Sequence, residues 1–336
     1  TLVGKVDPAT GSSSMIDGPF AEAEFQQPWW LLFDENEEGQ KILYAGEPSK
    51  ALRKINLNLE EVSTVVTNGQ GGFRSFQTMT FGNSRDTMFF ADDNGQDNRS
   101  MPVIHYSLRN ESYRKVYPYI LDRCGYSCAA HPEGTFFYNT YFNAAMMKAR
   151  GQFNIETQQW DRKQLYNLVD NNSQHTYMIM HPNGDYAYIM GYNSILKAVY
   201  DRKTQELLRP TVHVGKQFEG GYVDAPGTGA KFTTLRQGVF VKNEEYVKAG
   251  KSDVYDFYVC DVDNHCIRLV TPEGQVSTFA GRGSYSVDGE VKGYIDGDLR
   301  LEARFNKPSG IAYDEKEATF YVADMDNKRI RYITVE

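Results

Sequence analysis

Apolar and polar positions alternate along this chain in runs of about five residues, and clusters of Gly, Pro, Asn and Asp separate the runs. Period-two alternation broken by turn residues spells short, half-buried antiparallel strands. The pattern is plainest at 303–333, ARFNKPSGIAYDEKEATFYVADMDNKRIRYI, where GIAYD, TFYVA and RIRYI predict three strands joined by a charged turn and an Asp/Asn turn. Aromatic residues make up 13% of the chain, which also favours pleated strands over helices.

The pattern repeats. FYVADMDNKRIRYI at 320–333 matches FYVCDVDNHCIRLV at 257–270 at eight positions with a constant offset of 63. AEFQQPWWLLFD at 23–34 matches ARFNKPSGIAYD at 303–314 through Ala, Phe, Pro and Asp. More worn copies surround Phe73 and Asp92, and two others share His-Pro-x-Gly at His131 and His181. Segments such as VSTVVTNG, TVHVGK and VSTFAGRG supply a fourth strand. Units of four short strands repeated six times predict an all-β, six-bladed β-propeller forming one domain over 1–336. The blades fall near 20–67, 73–120, 122–170, 172–216, 230–281 and 303–336. The last ends after its third strand, and TLVGK at 1–5 is expected to complete it and leave no open edge.

A net charge of −8 excludes a general nucleic-acid binder, which needs clustered Lys and Arg. No apolar run approaches the length that spans a bilayer, so no direct membrane insertion is expected. The chain opens on Thr1, which suggests a processed product whose export signal or further domain lies upstream. Cys124 with Cys128, and Cys260 with Cys266, are either disulfides of an oxidising compartment or buried free thiols.

DGPFAEAEFQQP and DGDLRLEARFNKP ahead of the first strand, YVADMDNKRIR and YVCDVDNHCIR across the second and third, and VSTFAGRG closing a blade resemble the NHL-repeat family of β-propellers. The resemblance is strong over blades 1, 5 and 6 and weak over blades 2 to 4. It implies the fold rather than one function, since NHL propellers include binding modules and a lyase. In the style of exported bacterial surface proteins, where such a propeller can follow a TIG/IPT domain, it implies a place at the cell surface, outside the cell or in the periplasm.

Asp92, Asp261, Asn264, Arg268, Asp324, Asn327 and Arg329 mark the repeat, and their expected work is structural: Asp and Asn shape the turn while the Asp carboxylate pairs with Arg329 inside the blade. His131 and His181 invite a zinc reading but align with Asp34 and Asp314 in the turn between first and second strands, which makes them turn residues. The Asp-Gly loops lack EF-hand or P-loop spacing. The copies differ most at the entrance to the first strand, where Ser309 and Gly310 of the last blade face Trp29 and Trp30, Gln77 and Thr78, Tyr126 and Ser127, Thr176 and Tyr177, and Arg236 and Gln237 elsewhere. With Phe76 and His175 just before them, these positions should ring the channel mouth and suit a glycan or a partner protein. The alternative is that the two Trp wedge between blades. The expectation is therefore a monomeric, non-enzymatic binding propeller without cofactor. A cation in the central channel, and a metal-dependent lyase or hydrolase of the six-bladed kind, are the competing readings.

Overall fold

The computed structural model describes all residues except 37, 71–72, 74–75, 83–85, 93–102, 109–111, 118–123, 141–143, 155–158, 169–175, 283–289 and 336. Six small antiparallel sheets follow one another along the chain and form a six-bladed β-propeller. The innermost strands are Trp30–Glu35, Phe76–Phe81, Cys124–Ala130, Tyr177–Met180, Leu235–Lys242 and Pro308–Asp314, and each packs against the next around a closed ring. Blade 6 contributes only three strands of its own, and its outer strand Arg329–Thr334 is joined by Val3, which pairs with Ile330 in antiparallel fashion. The Leu2 N–H donates to the Ile330 carbonyl and the Ile330 N–H to the Val3 carbonyl, so the amino-terminal segment closes the last blade.

Apolar faces of neighbouring blades meet. Phe25, Phe73, Phe232 and Phe305, aligned at the entrances of four blades, are fully buried there. Beside three of these rings sits a buried guanidinium. Arg53 lies over Phe25, Arg268 over Phe232 and Arg331 over Phe305. Each arginine bonds an inner acid on the second strand (Glu47, Asp261 or Asp324) and an outer acid in the loop ahead of the blade (Asp17, Asp224 or Asp296). Each also donates to two loop carbonyls, such as those of Val223 and Lys231 for Arg268. The inner acid accepts backbone N–H groups in turn, from Gln26 and Gln27 at Glu47, Thr233 at Asp261 and Asn306 at Asp324. Bonded at both Nη atoms and neutralised by two carboxylates, the guanidinium can be buried without the cost of an unpaired charge, although Arg53 Nε and Arg268 Nε have no acceptor among the described residues.

One expectation is corrected here. The partner of Asp324 is Arg331, at 3.1 Å, rather than Arg329, whose guanidinium instead lies 3.9 Å from the Tyr294 ring centroid. Arg329 and Arg331 share one face of the strand, and only Arg331 occupies the place Arg268 holds in blade 5. Asn264 and Asn327 each donate to the inner acid of their blade. Asp92 lies buried at the corresponding strand end of blade 2.

The cysteine bridges do not form. Cys128, Cys260 and Cys266 are free buried thiols. Cys260 sits opposite Ile267 while Cys266 sits opposite Asp261. Cross-strand partners share a face and adjacent residues do not, so Cys260 and Cys266 point to opposite sides of the sheet. The Cys128 thiol instead lies 3.8 Å from the Thr78 hydroxyl of blade 2.

Candidate functional site: a closed entrance and a central cavity

Every blade presents the start of its inner strand to the same end of the channel, and the long polar and aromatic side chains there bond across blade boundaries. Trp30 is buried, donates from Nε1 to the Met79 carbonyl of blade 2 at 2.9 Å, and packs its ring against Tyr177. Gln237 of blade 5 reaches past blade 6: its Oε1 accepts from the Leu31 and Ile311 N–H groups, and its Nε2 donates to the Leu31 carbonyl. Small residues in blade 6 permit that reach. A Cβ on Gly310 would stand 2.8 Å from the Trp29 carbonyl oxygen and 3.1 Å from Gln237 Oε1, and the Ser309 hydroxyl donates to the Trp29 carbonyl. Between blades 3 and 4, Asn139 joins Ser127 N–H to the Thr176 hydroxyl.

The entrance tier is therefore mostly a latch between blades. Trp30, Gln77, Thr78, Ser127, Thr176, Tyr177, Gln237 and Ser309 are all buried, which corrects the expectation that this ring is an open mouth. Long side chains that look available in the sequence are used by neighbouring blades. Trp29 and Arg236 alone among the described candidates stay half-buried, with the Arg236 guanidinium 3.5 Å from the Trp29 ring centroid. The side chains of Phe76, Tyr126 and Cys124, and His175 as a whole, lie outside the described residues.

Beyond the latch the channel widens into a cavity of about 350 Å³. Aligning the inner strands gives its walls in two tiers. Leu32, Thr80, Ala129, Ile179, Val239 and Ala312 form the deeper one; Phe33, Phe81, Ala130, Met180, Phe240 and Tyr313 form the outer one, toward the turns between first and second strands. Each inner strand ends its sheet, so backbone N–H and C=O groups edge the channel between these apolar side chains. The composite is a mainly apolar wall with regularly spaced backbone donors and acceptors. Sequence reasoning missed it because it looked at the positions where copies differ most, whereas the cavity lies two and three residues farther along each strand.

His131 and His181 stand at the rim of this second face, in the turns. His131 Nδ1 accepts from the Glu133 N–H at 3.0 Å and His181 Nδ1 from Asn183 N–H at 3.2 Å, the part Asp314 Oδ1 plays for Lys316 N–H. The remaining ring nitrogen then faces the next blade: His131 Nε2 meets the Gly184 carbonyl at 2.8 Å, and His181 Nε2 lies 3.4 Å from Asp253. Burial pushes the His131 imidazole below its ordinary pKa. At Asp253 burial works to raise the pKa, but hydrogen bonds from His181 and Tyr186 and from the Tyr255 N–H bring it down to about 2. Among the described residues no group of three His, Cys, Asp or Glu is placed to hold a metal ion.

No family model and no curated protein sequence matches the chain. Solved structures do. An auxiliary nutrient binding protein of Bacteroides thetaiotaomicron VPI-5482 is 33% identical, with a TM-score of 0.86 over 99% of this chain and 75% of its own. Another, from Bacteroides ovatus ATCC 8483, is 32% identical with a TM-score of 0.85 and the same coverage. A Bacteroides thetaiotaomicron protein provisionally named a phosphatase is 28% identical, with a TM-score of 0.87 over 100% of this chain and 78% of its own. Virginiamycin B lyase of Staphylococcus aureus, 9% identical with a TM-score of 0.54 over 92% of this chain and 96% of its own, shares the fold alone. At one third identity over nearly its whole length, the chain belongs to the same family of six-bladed propellers as the Bacteroides auxiliary nutrient binding proteins.

Proposed function

We propose that this chain is a non-enzymatic ligand-binding propeller of NHL type, exported to the cell surface or periplasm, that takes a small nutrient molecule, in the first place a glycan segment, in its central cavity. The cavity carries the reading. Its volume lies in the range of small-molecule sites. Flat apolar side chains alternating with backbone donors and acceptors suit a sugar, whose C–H faces and hydroxyl groups need both. The names of two relatives, auxiliary nutrient binding proteins, support the same class, and their source in Bacteroides supports an exported protein.

A thermal-shift and calorimetric screen against soluble oligosaccharides and small nutrients tests the proposal. Thr80 is half-buried on the deeper tier, so Thr80→Trp fills the cavity. The expected result is a ligand that raises the melting temperature of the wild type, binds Thr80→Trp at least about 10-fold more weakly, and is recovered chemically unchanged. Ligands that bind both proteins equally would place recognition elsewhere, and turnover of the ligand would favour the lyase or hydrolase reading.

A further inference from the structure

Three buried arginines share one arrangement, and the half-buried Arg236 does not follow it. Arg53, Arg268 and Arg331 each lie between two carboxylates. Arg236, in the inner strand of blade 5, has no carboxylate within ion-pairing distance among the described residues. Its guanidinium stacks on Trp29 of blade 1, its Nη1 reaches the Met325 sulfur of blade 6 at 3.5 Å, and the Tyr177 hydroxyl of blade 4 lies against it. The most prominent acid acting on it is Asp263, already shared with Lys307 at 3.7 Å. Burial lowers the Arg236 pKa. Trp29 Nε1 is a buried N–H donor without an acceptor among the described residues, as is Arg236 Nε, a feature that Arg53 and Arg268 share.

A partly desolvated cation without a counter-ion, stacked on an indole whose own N–H is unused, costs stability that sequence variation could readily remove with a Gln or Met. The planar fork of a guanidinium and a neighbouring indole N–H together match a carboxylate. We infer that Arg236 and Trp29 form a second ligand site, at the closed end of the channel, that binds the carboxylate of an acidic sugar. This site lies beyond the latch from the cavity, so it stands or falls separately from the nutrient reading.

Calorimetry with galacturonate and its uncharged methyl ester, backed by tryptophan emission, tests the assignment. Galacturonate should bind saturably and more weakly as salt rises, and the ester at least about 10-fold more weakly. Arg236→Gln should lose at least about 10-fold in galacturonate affinity, Trp29→Phe, which keeps the stacked ring without the N–H, should lose several-fold, and Thr80→Trp should lose nothing. Competition by inorganic sulfate would leave the site intact but broaden its class to anionic sugars in general. The inference is overturned by a wild type that gives no saturable response to galacturonate, or by ester and acid binding alike. If Arg236→Gln melts at a lower temperature, the Trp29→Phe arm and the acid-to-ester ratio still decide.

Discussion

At Arg268 a single guanidinium touches Asp261, Asp224, two backbone carbonyls and two aromatic rings, so one residue ties the second and third strands of blade 5 to the loop that introduces it. Removing it leaves Asp261 buried with only Asn264 and the Thr233 N–H as partners. Arg268→Met is expected to cost about 3–5 kcal/mol, read from urea or guanidinium unfolding midpoints. Arg329→Met, one blade on, should cost far less, because that side chain bears on Tyr294 and holds no buried acid. A second residue-scale expectation concerns pH. Asp253 is held at about 2 against an ordinary 3.8, so its contribution to stability is complete above the unfolded value and is lost as pH falls from 3.8 toward 2. Asp253→Asn should remove that contribution, so the variant should be less stable than the wild type at pH 7, flat across the window, and equal to the wild type toward pH 2. An unchanged acid limb would show that His181 and Tyr186 do not hold the carboxylate in solution.

The inner strands show most clearly what sequence could and could not convey. Alternation and turn residues place all six, and the last-blade pattern GIAYD lies within the observed strand Pro308–Asp314. The turn role of His131 and His181 is also legible, because repeat alignment sets them beside an Asp whose backbone-accepting duty an imidazole nitrogen can perform. Period two gives Arg331 and Arg329 the same face, but the repeat offset of 63 sets Arg331 on Arg268 and Arg329 on Cys266, so the true partner of Asp324 was legible in the alignment. Alignment could not reveal the latch. Trp30, Tyr177 and Gln237 look like free recognition groups until neighbouring blades are brought beside them, and only three-dimensional proximity shows that Met79, Leu31 and Ile311 use them. The latch makes its own prediction. Gly310→Ala places a methyl group against the Trp29 carbonyl and the Gln237 amide, and should destabilise by about 1–3 kcal/mol in thermal melts. Gln237→Ala should weaken the same boundary, so the double variant should cost less than the sum of the two. Strict additivity would mean that Gly310 and Gln237 do not serve one contact.

For the molecule as a whole, closure and cavity are one problem. The inner strands enclose a wall only while all six blades stay in the ring, and the ring is shut by Val3 on Ile330 at one end of the chain and by Gln237 spanning blades 5, 6 and 1. Deleting residues 1–5 exposes the edge of Arg329–Thr334, and the expected outcome is a lower melting temperature together with self-association, seen by calorimetry and light scattering. The central claim is that the apolar tiers around this channel receive a small ligand. A crystal structure of the protein with the tightest oligosaccharide or nutrient from the binding screen tests it most directly. The account predicts ligand density among Leu32, Ile179 and Tyr313, with hydroxyl groups on the backbone edges of the inner strands. Density confined to the outer strands of a blade, with the channel holding only solvent, would contradict it.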